Sequence, residues 1–296
     1  MRKGKSQKKR SCKKIIANYL SPKTDTEREE IVVEPSFDDM VRILTAYDSH
    51  QGTREYQQDA LFVSEPVCVR CGEEVKVFAI LCDGMGGMQN GEKASNLVVT
   101  EMRNELEAIR FDHDVATFMI DKIKTLDVMI ASIYGDSATG TTMVAAVILG
   151  NRLFWGAVGD SRIYLIRREE IEQVTRDHNY YLNLKEDVEK GKITQAEADT
   201  HPMREALISF IGSGHTDIID ANTEPFRLAH GDIVLLCSDG LSKSLNNDEI
   251  RDIISEHRDN LGEAARSLTL GAIEIDMGPK DNTSVILIQY YEEKKE

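Results

Sequence analysis

The pattern that decides the fold lies in residues 75–87, VKVFAILCDGMGG. Residues 75–82 are apolar apart from one lysine, and a glycine-rich turn follows them, which is typical of a buried strand that ends at the turn. Residues 235–240, LLCSDG, repeat the same order. Each of these strands therefore ends at an aspartate, Asp83 in the first and Asp239 in the second.

Strand-like and helical patterns occur in groups around these two segments. The strand-like runs are about 41–47, 60–63, 75–82, 142–149, 153–158, 163–167, 171–174, 233–237 and 284–290. The helical patterns come in pairs, about 92–109 with 115–133 and about 248–257 with 261–275. Groups of strands with pairs of helices predict an α+β fold in which sheet packs on sheet and the helices lie outside, in preference to βαβ alternation.

The chain is predicted to divide into a tail and one folded domain. Residues 1–40 are polar, hold two prolines and lack sustained periodicity, so they are predicted to form a disordered N-terminal tail. Residues 41–296 are predicted to form the folded domain. Within it, residues 176–216 are polar and weakly helical and contain Gly191, Pro202 and Gly212. They are predicted to be an inserted surface segment.

Charge is unevenly distributed along the chain. Residues 1–14 carry eight Lys and Arg and no acid, which leaves 28 basic against 51 acidic residues beyond them. A body this acidic repels nucleic acid and anionic membranes, so neither is an expected partner, and its electrostatics suit cations. The basic tail is predicted to be a solvated extension, with contact to an anionic partner as the alternative.

The sequence also bears on location and on cysteine chemistry. No run of about 18 apolar residues is present, so no membrane span is expected. The basic N-terminus lacks the apolar stretch of a signal peptide, which favours a cytoplasmic protein. Five cysteines, an odd number, argue against a disulfide framework. Cys68 and Cys71 have the spacing of a zinc knuckle, but only one such pair exists, so they are interpreted as part of a hairpin loop.

Three further aspartates stand beside predicted strands: Asp59, Asp160 and Asp281. A buried carboxylate needs a partner, which can be a set of hydrogen-bond donors, a basic residue or a metal ion. One Asp-Gly pair is also a common turn, but its repetition at Asp83 and Asp239 favours a site. Oxygen ligands without a set of His and Cys select hard cations such as Mg²⁺ or Mn²⁺ over zinc.

Seven short motifs between about residues 42 and 290 resemble, in their order, those of the metal-dependent type-2C Ser/Thr protein phosphatases, the PPM family. Residues 191–212 are similar to the flap of the bacterial-type members. The resemblance implies a four-layer αββα sandwich, two antiparallel sheets flanked by helix pairs, which agrees with the layers predicted above. The motifs are Arg54-x-x-Gln57-Gln58-Asp59, Asp83-Gly84-Met85-Gly86-Gly87, Thr139-Gly140-Thr141-Thr142, Gly159-Asp160-Ser161-Arg162, Thr175-Arg176-Asp177-His178, Cys237-Ser238-Asp239-Gly240-Leu241 and Asp281-Asn282-x-Ser284.

The resemblance also implies roles by position. Asp83 matches the aspartate that bridges two metal ions, and the Gly84 carbonyl matches a ligand of one of them. Asp239 and Asp281 match ligands of the other ion, and Asp59 joins the predicted metal set. Asp160 matches an aspartate of a third, weaker metal site. Arg54 matches the residue that holds the substrate phosphate, for which a guanidinium offers bidentate donors. Arg54, Asp83 and Asp239 are the predicted catalytic residues.

The function implied is hydrolysis of phosphoserine and phosphothreonine on proteins, by a monomer that opposes a Ser/Thr kinase. Two ions, Mn²⁺ or Mg²⁺, activate a water, and no covalent intermediate is needed. One alternative is a catalytically silent relative that binds a partner, although such relatives usually lose metal aspartates. Another is the related branch that controls sigma-factor antagonists, which typically lacks the flap and the phosphate arginine.

The sequence departs from the family pattern at two places near the site. Gln57-Gln58-Asp59 stands where Asn-Glu-Asp or Asn-Gln-Asp is frequent, so neutral Gln58 offers a metal only a carbonyl or a water bridge. Met85 stands where eukaryotic-type members carry a histidine proposed as general acid. A metal-bound water or His178 is then the candidate proton donor, and a structural role at the base of the flap is the alternative for His178.

Overall fold

The computed structural model describes residues 41–69, 74–85, 90–109, 114–135, 139–275 and 278–292. The predicted tail, residues 1–40, lies outside them, as does Cys71. The described strands are β1 (Val41–His50), β2 (Asp59–Val63), β3 (Val67–Val69), β4 (Glu74–Met85), β5 (Gly140–Thr141), β6 (Met143–Leu149), β7 (Arg152–Val158), β8 (Arg162–Arg167), β9 (Glu170–Gln173), β10 (Asp220–Ala221), β11 (Phe226–Arg227), β12 (Ile233–Cys237) and β13 (Thr283–Glu292). The described helices are α1 (Asn90–Ala108), α2 (Val115–Tyr134), α3 (Tyr181–Glu189), α4 (Gln195–Asp199), α5 (Asp239–Ser244), α6 (Asn247–Glu256) and α7 (Leu261–Glu274).

The strands form two antiparallel sheets. One sheet has the order β1-β13-β12-β8-β9. The other has the order β10-β7-β6-β4-β2, with β11 added on β7 and with β3 and β5 added on β4. Helices α1 and α2 contact the second sheet, and α5 and α7 contact the first. The predicted α+β class and the four layers are thereby confirmed.

Strand β4 lies between two apolar layers, which explains its nearly continuous apolar sequence. Val77, Ala79 and Leu81 point into the layer between the two sheets. Phe78 and Cys82 point to the opposite face, under α1 and α2. Alternate side chains of a strand face opposite sides, so a strand that is covered on both faces must be apolar at nearly every position.

The one lysine in this strand has a structural partner. Lys76 is buried, and its Nζ donates hydrogen bonds to the carbonyls of Leu106, Glu107 and Ile109, 2.5, 3.2 and 3.0 Å away. These carbonyls belong to the C-terminal end of α1, which has no basic residue in its own last turn. Burial lowers the pKa of Lys76. A charge from the sheet therefore binds carbonyls at the end of the helix, where few intrahelical donors remain.

The predicted inserted segment, residues 176–216, contains α3 and α4, which bury only Leu184 and Ala198. Its last part is attached to α2 by Asp127, a buried residue that the sequence did not single out. The Asp127 carboxylate accepts hydrogen bonds from the backbone N–H groups of Gly212, Gly214 and Thr216 at 2.7, 3.0 and 2.9 Å. We refer to residues 176–216 as the flap.

The predicted boundaries of the long helices agree with the structure to within about two residues. The short helix α5 was not predicted, because its first residues, Asp239 and Gly240, have the sequence of a turn. None of the described helices has the length and apolar composition needed to cross a bilayer.

Candidate active site

The topology brings the ends of several strands to one edge of the sandwich. Asp59 begins β2 and lies directly opposite Asp83 near the end of β4. Asp239 begins α5, immediately after β12, and Asp281 precedes β13, the neighbour of β12. Asp160 lies in the turn between β7 and β8. The five predicted carboxylates thus come from both sheets.

Asp59 is buried and joins the two sheets. Its Oδ2 accepts a hydrogen bond from Ser238 Oγ at 2.8 Å, and Ser238 follows β12 in the other sheet. Its Oδ1 is buried without a hydrogen-bond partner among the described residues. Burial, only partly opposed by hydrogen bonds from Ser284 and Ser238, raises the pKa of Asp59 to about 7.

Asp83 is surrounded by other carboxylates. Burial raises its pKa well above the usual range, and the charges of Asp59 and Asp239 and a side-chain hydrogen bond with Asp239 raise it further. Its backbone is fixed by Thr142, whose Oγ1 accepts from the Asp83 N–H at 3.0 Å. Like charges this close cannot all remain ionised in the absence of a cation. The environment of Asp83 therefore favours a bound cation.

Asp239 is paired with a lysine that the sequence did not single out, and the charge of this lysine also acts on Asp160. Lys243, one helical turn after Asp239 on α5, contacts Asp239 Oδ2 through its Nζ. Asp239 Oδ1 is buried and has no hydrogen-bond partner in the described part of the chain. Burial and the charge of Asp239 raise the pKa of Asp160 to about 7, while the charge of Lys243 acts in the opposite direction.

Arg54 and Asp281 form an ion pair at this edge. Arg54 Nη2 lies 2.7 Å from Asp281 Oδ2, and the arginine side chain is 56% exposed. The hydrogen bond and the charge of Asp281 raise the pKa of Arg54, with smaller contributions from Asp239 and Asp83. The guanidinium is therefore both accessible to solvent and close to the carboxylate set.

The buried side chain of Asn282 forms hydrogen bonds with the backbone of the loop that carries Arg54. Its Nδ2 donates to the carbonyls of Gln51 and Tyr56, 2.8 and 3.1 Å away, and its Oδ1 accepts from the Gln58 N–H at 2.8 Å. The side chain therefore fixes residues 51–58 beside the start of β13.

Gly84 permits a close approach between this loop, β4 and α1. Its N–H donates to the Gln58 carbonyl at 3.1 Å. A Cβ at Gly84 would lie 2.2 Å from the carbonyl oxygen of Gly91, near the start of α1. Any side chain at this position would therefore push the end of β4 away from the start of α1.

His178, near the start of the flap, is fully buried. Its backbone N–H donates to the Gly159 carbonyl at 2.9 Å, and its Nδ1 accepts from the Gly159 N–H at 3.2 Å. Its Nε2 lies 3.5 Å from Asp220 Oδ1, and the Asp220 carboxylate also contacts Arg176. This geometry supports the structural alternative for His178, because the ring holds the turn before Asp160 and is closed to solvent.

The oxygen atoms of these side chains are the kind of ligand that a hard cation binds, although the side chains do not surround a common point as metal ligands do. In the part of the chain that the structure describes, no three His, Cys, Asp or Glu side chains converge at metal-ligand spacing. Instead, Asp239 contacts Lys243 and Asp281 contacts Arg54. The remaining buried oxygens, Asp59 Oδ1 and Asp239 Oδ1, lack hydrogen-bond partners within the described residues. Carboxylate oxygens in this state are suited to Mg²⁺ or Mn²⁺.

Comparisons with known proteins agree with this fold. The sequence profile of the family Protein phosphatase 2C matches residues 45–199. Protein phosphatase PhpP of Streptococcus pneumoniae is 32% identical over 226 residues, 75% of this chain and 89% of PhpP. The S. agalactiae serine/threonine phosphatase structure has a TM-score of 0.72 and 28% identity, and the match covers 83% of this chain and 98% of that one. The catalytic domain of serine/threonine protein phosphatase PstP, solved with two manganese ions, has a TM-score of 0.66 and 26% identity. The match covers 85% of this chain and 100% of the PstP chain.

The sandwich, its carboxylate edge and these similarities define a hydrolase of the protein phosphatase class. The chain belongs to the protein phosphatase 2C family, and its enzyme class is protein-serine/threonine phosphatase.

Proposed function

We propose that the chain removes phosphate from phosphoserine and phosphothreonine on proteins with the help of two divalent cations, Mn²⁺ or Mg²⁺. The observation that carries this proposal is the register of β2 and β4, which places Asp59 directly opposite Asp83, together with buried oxygens of Asp59 and Asp239 that have no hydrogen-bond partner among the described residues. Neighbouring buried carboxylates are costly unless a proton or a cation neutralises them. The two manganese ions of the PstP catalytic domain support the choice of cation.

The ligands of the two ions are assigned by position and chemistry. Asp83, Asp239, Asp281 and the Gly84 carbonyl would hold the two ions. Asp59 would contribute through its unpartnered Oδ1. When bound, the ions supply positive charge and activate a water for attack on phosphorus. The role of the protein is to hold these oxygens in place, through Ser238 for Asp59 and Thr142 for Asp83.

Asp160 lies at the same edge of the sandwich as the other four aspartates, but its environment is different. It is buried, and the cation that acts on its charge is Lys243. A third ion at Asp160 would have to share the carboxylate edge with that ammonium group. We therefore assign the catalytic pair of ions to the other four aspartates.

Arg54 is proposed to bind the substrate phosphate. Its guanidinium is exposed and is held near the carboxylate edge by Asp281. Phosphate oxygens can take two parallel N–H donors from such a group, which fixes the orientation of the substrate. Binding of phosphate would therefore draw Arg54 from Asp281, leaving that carboxylate available to a cation.

Replacing Arg54 by Ala is expected to raise the KM for a phosphopeptide by about 10- to 100-fold, because a charged hydrogen bond contributes about 1.5–3 kcal/mol. Mn²⁺ affinity should be unchanged or higher, since the competing ion pair with Asp281 is removed. Steady-state kinetics and calorimetric titration with Mn²⁺ measure the two effects. Arg42→Ala, an exposed arginine on β1, is the matched control. Weaker Mn²⁺ binding in Arg54→Ala would instead make Arg54 a structural partner of the carboxylates.

The silent alternative is not favoured, because all of the aspartates implicated by the resemblance are present and near one another. Substrates are proposed to be proteins phosphorylated by a Ser/Thr kinase. Their identity depends on surfaces around the edge, including the flap, which exposes most of α3 and α4.

The activity is tested with phosphoserine, phosphothreonine and phosphotyrosine peptides of one sequence in the presence of Mn²⁺. We expect release of phosphate from the first two and no phosphorylated protein after acid quenching during turnover, since the nucleophile is water. Asp239→Asn, assayed from the same purification, controls for contaminating phosphatases. Equal turnover by that variant, or a phosphoprotein intermediate, would contradict the proposal.

A further inference from the structure

One of the site carboxylates, Asp239, is paired with a cationic side chain of the protein itself. Lys243 Nζ contacts Asp239 Oδ2, and its side chain is 45% exposed. Its charge also acts on Asp160, which is buried in the turn after β7. The pKa of Lys243 is raised, because Asp239, Asp160 and the flap residue Glu205 favour its charged form more than burial opposes it.

The position of Lys243 follows from the local fold. Residues four apart lie on the same side of a helix, so a lysine four residues after Asp239 on α5 returns to that carboxylate. Asp160 lies in the turn between β7 and β8, where His178 fixes the backbone of Gly159, and its charge favours the charged form of Lys243. The ammonium group of Lys243 therefore contacts one carboxylate, Asp239, and acts through its charge on a second, Asp160.

We infer that Lys243 is a built-in cation that occupies the space between Asp160 and Asp239 and excludes a further metal ion from it. The inference rests on the proposed function, in which Asp239 also binds one ion of the catalytic pair. An ammonium group and a divalent ion both neutralise paired carboxylates. Because the two cations repel each other, they cannot both lie between the same two carboxylates. Asp239 Oδ1, which has no partner among the described residues, stays available for the catalytic ion.

The inference predicts how many ions the chain binds. The wild-type full-length chain, freed of metal with a chelator, should bind about two Mn²⁺, and Lys243→Gln should bind about three, since two hard carboxylate ligands become free. Lys243→Arg, which keeps the charge, should retain the wild-type number. Equilibrium dialysis with free Mn²⁺ measured by electron paramagnetic resonance gives these numbers without an activity assay. Lys124→Gln, an exposed lysine on α2, controls for the change in net charge.

One more variant, measured in the same way, separates the possible failures. Asp160→Asn should leave the wild-type number of ions unchanged, and it tests the inference even if Lys243→Gln does not fold. Loss of an ion in Asp160→Asn, three ions in the wild type, or equal numbers in a folded Lys243→Gln would each overturn the inference alone. Absence of Mn²⁺ binding by every variant, the wild type included, would overturn the proposed function together with the inference.

Discussion

Treatment with EDTA should abolish phosphopeptide hydrolysis, and Mn²⁺ or Mg²⁺ should restore it. Every proposed ligand is an oxygen, from Asp59, Asp83, Asp239 or Asp281 or from the Gly84 carbonyl. The charge stabilisation that the ions supply is worth several kcal/mol in the transition state. Its loss corresponds to a fall in rate of at least about 10³-fold. Initial rates before chelation, after chelation and after restoration measure the effect.

The control for chelation is EDTA saturated beforehand with Mn²⁺, which should not inhibit. Folding should be followed by circular dichroism in the same samples, because the acidic edge can loosen when its cations are removed. Full turnover in EDTA with an intact fold would exclude the two-metal proposal. It would leave the family assignment intact, because that assignment rests on sequence and fold.

Replacing Asp83 by Asn is expected to lower kcat by roughly 10³-fold or more. The chelated variant should nevertheless be at least as stable as the chelated wild type. Asp83 lies among the charges of Asp59 and Asp239, which raise its pKa, so a neutral amide of the same shape removes repulsion. A gain of about 1–2 kcal/mol would raise Tm by roughly 2–8 °C. Thermal unfolding in chelator and kinetics in Mn²⁺ give the two readouts.

Asp121→Asn is the matched control, since Asp121 is an exposed carboxylate on α2, away from the strand ends. It should change neither kcat nor Tm appreciably. If Asp83→Asn lost fold and activity together, Asp83 would be a structural residue whose charge the fold requires. A variant that is stable and fully active would remove Asp83 from the proposed metal set.

The layers and the strand-end aspartates could be predicted because they depend on short-range patterns. Strand β4 is apolar on both faces, and its run of residues ends at Asp83. The helix pairs have clear periodicity and polar caps, such as Asn246, whose side chain caps α6 together with Glu249. Local sequence is sufficient for these features because the interactions that define them span only a few residues.

The partners of the carboxylates could not be predicted, because most of them depend on contacts between residues far apart in the chain. The Ser238–Asp59 hydrogen bond joins residues 179 positions apart, and the Arg54–Asp281 pair joins residues 227 apart. Lys243 is the exception, since its distance of four residues from Asp239 is a local signal. It was missed because α5 begins with Asp-Gly, so that a turn was expected instead of a helix.

The two ends of the flap are held close together. Tyr180 N–H donates to the Ala206 carbonyl and Ile208 N–H to the His178 carbonyl, and Asp127 holds the chain after Gly212. Residues between Tyr181 and Arg204 can therefore lengthen, shorten or change sequence while the backbone that enters and leaves the sandwich keeps its path. The central part of the flap can therefore be replaced without changing the rest of the fold. Insertion and substitution there would change substrate preference while leaving in place the edge of the sandwich that is proposed to perform hydrolysis.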